Sequence, residues 1–213
     1  SVQVFKDSKA FDLISDKVVR LLFDFGNFPE KDQVLSNLNL IKNPTYVNFK
    51  GAGLIVLNGQ RIDLSRLSGD IALSSELLPD IEAIQVTSQV VMTVENLTSF
   101  HLADGRDRLL IYLGGFHNQV RRDFIRKLYA QNPTATYYHF GDIDAGGFKI
   151  LQHLRRQTGI DFIPWKMDLE TLMKHESFTK PLSENDRHNL NQLLGQGFDD
   201  TILYMLDRNI KLE

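Results

Sequence analysis

The stretch TYYHFGDIDAGGFKIL, Thr136 to Leu151, decides the fold. A strand-like run passes into a helix-like run through Gly141-Asp142-Ile143-Asp144. Two carboxylates one residue apart repel each other, and folding alone gains little from such a pair. If the chain stays extended, Asp142 and Asp144 point to one side, roughly 6.5–7 Å apart, with Ile143 turned into the core. Gly146 and Gly147 then let the backbone turn into a helix whose free N–H groups favour an anion. The bland alternative is a plain turn in which the aspartates only cap the helix.

Outward from this stretch, strands are predicted at 89–94, 108–113, 136–140 and 161–165. Helices are predicted between them at 97–103, 117–130 and 147–157. That alternation predicts an α/β fold, a mostly parallel sheet with covering helices. Residues 168–207 read as helices. The first third differs. SKAFDLISDKVVRLLFDF has helical spacing, a shorter helix is expected from Pro29, and the alternating run TYVNFKGAGLIVLNGQRIDL carries Asn58-Gly59 as a hairpin signal. Helix, helix and hairpin suit a small α+β winged-helix-like module. Breaks near 66–84 place the expected boundary between a module at 1–83 and a catalytic domain at 84–213.

The 213 residues carry a net charge of −3, 42% hydrophobic and 24% charged residues, and no cysteine. Disulfide scaffolds, thiolate zinc sites and cysteine nucleophiles are excluded. No apolar run approaches the roughly 18 residues of a membrane span, and no signal-peptide pattern opens the chain, so a cytoplasmic protein is expected. Because the first residue is Ser1, the chain is read as part of a longer protein. Charge is uneven. Residues 105–127 hold Arg106, Arg108, Arg121, Arg122, Arg126 and Lys127 against Asp107 and Asp123, whereas the chain from Met167 onward is acidic. A local basic patch can bind phosphates on an acidic protein.

In parallel α/β sheets, sites form at the carboxyl ends of strands. QVVMTV delivers Glu95 at such an end, and Asp142 and Asp144 stand at another. Three carboxylates without His or Cys suit Mg²⁺ or Mn²⁺ better than Zn²⁺. An EF-hand loop from Asp142 fails, since its twelfth position is His153 and a strand precedes it. A Walker loop is absent. Haloacid-dehalogenase-type phosphatases, which also use Asp-x-Asp, resemble the site less because Gly146 stands where they expect Thr or Val. The six histidines form no metal pattern, and His117 and His139 are read as solvated or structural.

VEN at 94–96 followed by GDIDAGGFKILQHLR at 141–155 resembles the Toprim domain of topoisomerases, primases and certain nucleases. The closer likeness is to the C-terminal region of the JetD family, nuclease subunits of the Wadjet plasmid-defence system. It rests on FKDSK at 5–9, VEN, GDIDAGG, ILQHLR and the final LE. The resemblance implies that Glu95, Asp142 and Asp144 are catalytic and hold Mg²⁺ or Mn²⁺. It also implies a Toprim-like catalytic domain after a winged-helix-like one, with an N-terminal arm left out of this sequence. Two departures stand out: Lys6 replaces a glycine, and Gly146 a histidine.

The expected function is therefore a metal-dependent DNA endonuclease. By resemblance it acts on double-stranded DNA, partners a condensin-like SMC ATPase complex and forms a homodimer. Arg121, Arg122 and Arg126, on one predicted helix, are the expected DNA-binding residues. Rival readings are a topoisomerase VI-like transesterase using Tyr46, and a non-catalytic DNA-binding or assembly module. Removing any one of the three acids is expected to leave the metal-free fold unharmed.

Overall fold

Near-continuous apolar runs, VVMTV at 90–94 and LLIY at 109–112, make the central strands, because a strand covered on two sides buries nearly every residue. The computed structural model describes residues 10–28, 34–38, 45–115 and 119–213. It divides into two compact units, at 1–44 and 45–213. The first unit contains α1 (Ala10–Phe25) and α2 (Val34–Asn37), which contact each other. FKDSK, the helix start expected at Pro29, and His117 lie outside the described residues.

The second unit begins with β1 (Tyr46–Gly51), β2 (Gly53–Leu57), β3 (Gln60–Asp63), β4 (Ile71–Ser74) and β5 (Ile81–Val86). It continues with β6 (Val90–Val94), α3 (Leu97–Leu102), β7 (Leu109–Tyr112), α4 (Gln119–Gln131), β8 (Thr136–Phe140), α5 (Ala145–Thr158) and β9 (Ile163–Pro164). It ends with α6 (Leu169–Lys174), β10 (Lys180–Pro181), α7 (Glu184–Asn191), α8 (Asp199–Arg208) and β11 (Ile210–Lys211).

Six strands form the main sheet in the order β4-β1-β7-β6-β8-β9. The pairs β7–β6, β6–β8 and β8–β9 are parallel, while β1 pairs antiparallel with β4 and β7. This is the expected α/β fold with a largely parallel sheet. Residues 46–74, placed by the sequence in the first module, contribute two strands to this same sheet. The helices and the hairpin of that expected module thus fall in separate compact units.

The Asn58-Gly59 signal makes the β2–β3 hairpin, with both residues at positive φ. That hairpin joins β5 in a three-stranded antiparallel sheet, β3-β2-β5. Side chains from the end of α4 satisfy the β5 backbone: Gln131 accepts from the Ile84 N–H at 2.6 Å and Asn132 from the Val86 N–H at 2.9 Å. An exposed strand edge is thereby covered.

Strand parity splits the core in two. Val91, Leu109, Ile111 and Tyr137 face Phe124, Ile125 and Leu128 of α4 and Phe148, Leu151 and Leu154 of α5 in the larger core. Met92, Val94 and Leu110 face the other way, onto Phe100 of α3, with Tyr138, Phe140 and Trp165 at the margin.

Candidate functional site

Strands β6 and β8 are parallel neighbours in register, with Val94 opposite Phe140. Their carboxyl ends therefore release Glu95 and Gly141 side by side. The Glu95 N–H donates to the Phe140 carbonyl at 2.9 Å, extending the ladder by one step. Asn96 then caps α3, its Oδ1 accepting from the Ser99 N–H at 3.1 Å. The pair Glu95-Asn96 thus combines an acid at a strand end with the cap of the next helix.

After Phe140 the chain stays extended. Ile143 is buried and forms a bridge with Leu212, N–H to carbonyl at 2.9 and 3.1 Å. Asp142 and Asp144, on either side of it, are only partly buried. Asp144 is the N-cap of α5, and its Oδ1 accepts from the Gly147 N–H at 2.7 Å. The helix start expected to attract an outside anion is thus partly satisfied by the chain's own carboxylate. Gly147 is obligatory, because a Cβ there would run into the Asp142 carbonyl oxygen.

Burial, then the negative charges of Asp142 and Asp144, push the Glu95 carboxyl up to about 7, with the Asp142 backbone N–H pulling the other way. Asp142 is also raised, by burial first and then by Asp144 and Glu213, against the pull of Lys180 and Lys211. Folding brings Glu213, Lys180 and Lys211 here; sequence reasoning noted Glu213 in the final LE without a role and missed the two lysines. The short β10–β11 pair sets Lys180 opposite Lys211, and Glu213 accepts from both at 2.7 Å. The available signal was Asn209, a left-handed helix stop ahead of Ile210; the pairing with residue 180 is long-range and left no local mark. A cleft of about 390 Å³ beside Asp142 is bordered by Lys166, His175, Phe178 and Glu213.

The donor set suits a hard divalent cation. Glu95 Oε2 is buried and has no hydrogen-bond partner among the described residues, a costly state that a cation or water would relieve. In this conformation no three His, Asp or Glu side chains among the described residues draw close enough to hold an ion. Parity gives the reason. Glu95 continues the face of Val91 and Thr93, whereas Asp142 and Asp144 point opposite to Ile143, and Asp144 is engaged by its cap.

The basic residues fare differently from one another. Arg121 donates to the Leu113 carbonyl at 2.8 Å and lies over the Tyr112 ring, 5.4 Å from its centroid. Burial pulls its pKa down, and its role is to hold α4 against β7. Arg126 pairs with Asp123 at 3.1 Å and reaches the Gln157 carbonyl of α5. Arg122 donates to Gln119. Its charge, together with that of Arg156, depresses the pKa of His153 after burial, so α4 and α5 bring Arg122, His153 and Arg156 into one basic strip. Arg106 and Arg108 are neutralised by Asp104 and Asp107. The positive stretch is thus smaller than its sequence count suggests.

These features define an α/β protein with a carboxylate site at the ends of adjacent parallel strands. Residues 53–213 match the family described as "Wadjet protein JetD, C-terminal", and the chain belongs to that family. It is also 26% identical, over 211 residues, to the Wadjet protein JetD of Bacillus cereus (strain Q1). That alignment covers 96% of this chain and 49% of the relative, so the chain spans about half the length of the curated protein it matches. Among the described residues no helix is long and apolar enough to cross a membrane.

Proposed function

We propose that the chain is the DNA-cleaving domain of a Wadjet anti-plasmid system, a Toprim-type endonuclease dependent on Mg²⁺ or Mn²⁺. Glu95, Asp142 and Asp144 would hold the metal. When bound, it would supply Lewis-acid stabilisation of the phosphate and a more acidic water. The carboxylates would orient that cation, whose charge would offset the repulsion they exert on DNA without it. The observation that carries the reading is the buried, unpartnered Glu95 oxygen beside Asp142, at the ends of two parallel strands. Burial raises the pKa of both acids, and that energetic cost is one a cation offsets and a purely structural role leaves unexplained.

Family membership supports a condensin-like SMC ATPase complex as the partner that presents double-stranded DNA. Two copies of the domain, one per DNA strand, complete the reading. The test has two parts. Calorimetric titration of the chain with Mn²⁺ should give binding that Glu95→Gln and Asp142→Asn weaken. Plasmid cleavage by the assembled system should be lost in the same variants. No Mn²⁺ binding at millimolar concentration ends the metal reading.

A transesterase reading retains one supporting observation. Tyr46 is 49% exposed and starts β1, which runs antiparallel to β7, so it stands at the same end of the sheet as Glu95. A covalent phosphotyrosyl–DNA adduct that Tyr46→Phe abolishes would establish it; free 5′ and 3′ ends establish hydrolysis.

A further inference from the structure

The cleft beside Asp142 is lined by three kinds of group: the acids Asp142 and Glu213, the donors Lys166 and His175, and the apolar ring of Phe178. Its volume of about 390 Å³ suits a small ligand. The cations at this end of the sheet differ in availability. Lys180 and Lys211 are each held by Glu213 at 2.7 Å. Lys166 Nζ and the ring nitrogens of His175 make no hydrogen bond or ion pair among the described residues. Lys166 also holds φ at +53°, in the left-handed region that favours glycine. Strain of that kind collects at ligand-binding positions.

Phe178 is 73% exposed. A lone exposed phenylalanine needs no explanation, but this one is held in place. It ends the short 3-10 turn Glu176–Phe178. Glu176 accepts from the Tyr204 hydroxyl at 3.2 Å and pairs with Arg208 at 3.0 Å, both on α8. The Thr179 hydroxyl donates to the Glu176 carbonyl at 2.7 Å, and the Phe178 N–H to the His175 carbonyl at 2.9 Å. The His175 ring lies 6.4 Å from that of Phe178, centroid to centroid. The turn thus presents a fixed aromatic face beside two uncommitted donors.

An aromatic face stacks a base, and a lysine with a ring donor beside it grips a phosphate. A duplex offers no free base face, because its bases stack on one another. A free anion would gain nothing from the ring and would meet Asp142 and Glu213. We infer that this cleft is a subsite for one unpaired nucleotide of DNA, its base against Phe178 and its phosphate against Lys166 and His175. That this DNA is a substrate rests on the function proposed above; the binding does not. The strand would enter with one nucleotide lifted out of the stack.

Fluorescence anisotropy on the whole chain tests this, in EDTA so that no metal-dependent cleavage intervenes, with a labelled oligothymidine and a blunt duplex. Phe178→Ala should weaken oligothymidine binding roughly 5-fold or more, the usual worth of one stacked base. Duplex binding should stay near that of the parent, and Phe178→Trp should retain both affinities. Lys166→Gln should lower the slope of log affinity against log salt by about 0.7, one phosphate contact on a single strand. Phe178→Ala should leave that slope in place. No oligothymidine binding by the parent, an unchanged affinity in Phe178→Ala, or equal losses on both DNAs overturns the subsite. A dimer in sedimentation that Phe178→Ala dissociates, with oligothymidine affinity unchanged, also overturns it and gives the ring to a second copy. Plasmid cleavage separates the two readings: Phe178-dependent binding without cleavage by the assembled system keeps the subsite and ends the endonuclease.

Discussion

Glu95 Oε2 stands 2.6 Å from the point a Cβ of residue 141 would occupy, so the acid reaches its place only because Gly141 has no side chain. Even one methyl group must push Glu95 aside or tilt the end of β8. Gly141→Ala is therefore expected to weaken Mn²⁺ binding by at least 10-fold, by analogy with other lost orienting contacts. Gly69→Ala is the control, since its Cβ would meet nothing within 4 Å. Calorimetry on both variants checks this, and equal losses would count against the explanation.

The raised Glu95 carboxyl makes stability depend on pH. Its folded value of about 7 lies above the ordinary 4.5, so the folded state holds the proton more tightly than the unfolded chain. Metal-free protein should suffer no penalty below pH 4.5, lose stability as pH rises toward 7, and reach a plateau above that. The full loss has an upper bound of roughly 3 kcal/mol, and solvent near the carboxylate reduces it. Asp142 shifts in the same direction. Denaturant titrations of parent and Glu95→Gln between pH 4.5 and 8 provide the check. The difference between the two proteins should grow with pH; a difference independent of pH would sink the assignment.

The three acids should part company in stability. From sequence alone, removal of any one of them leaves the metal-free fold unharmed. The structure revises this for Asp144, whose carboxylate caps α5. Asp144→Ala is expected to cost about 1 kcal/mol, the usual worth of an N-cap. Asp144→Ser should recover most of it, because a hydroxyl also accepts from the Gly147 N–H. Glu95→Gln and Asp142→Asn each remove a repelled charge and should be neutral or stabilising without metal. Thermal melts of the four variants decide whether the cap or the repulsion dominates at position 144.

What the sequence revealed follows from the range of the forces involved. Strand parity and helix spacing are local, so β8, the loop Gly141–Asp144 and α5 were legible to within two residues, and the Asn58-Gly59 hairpin was legible outright. The 161–165 strand shrank to Ile163–Pro164, since its pairing depends on an edge position that no local pattern records. Strands β1 and β4 read as part of a separate module because β1, which carries β4 on its other edge, joins the main sheet by a pairing about 60 positions apart, Phe49 with Ile111. At the site, the acids were visible as residue types at strand ends. Their surroundings were not: Glu213 and Lys211 arrive through β11, and Lys180 through its pairing with that strand.

The last prediction concerns the path of DNA. A carboxylate cluster repels phosphate, so the grip must come from cations elsewhere. Arg121, Arg122 and Arg126 share a helix but not a role. Arg121 is bound to the Leu113 carbonyl and the Tyr112 ring, and Arg121→Ala should lower the melting temperature more than it affects DNA binding. Arg126 is already paired with Asp123 and the Gln157 carbonyl, so its contribution to binding should be small. Arg122 belongs with Arg156 across the α4–α5 contact, where their combined charge reaches His153. Arg122→Ala with Arg156→Ala should weaken binding to duplex DNA. It should also lower the slope of log affinity against log salt by about 2, since each lost phosphate contact retains roughly 0.9 of a counterion. Affinities measured across a salt series for the parent, this double variant and Arg121→Ala distinguish the roles. A slope unchanged in the double variant moves the DNA path off the α4–α5 strip.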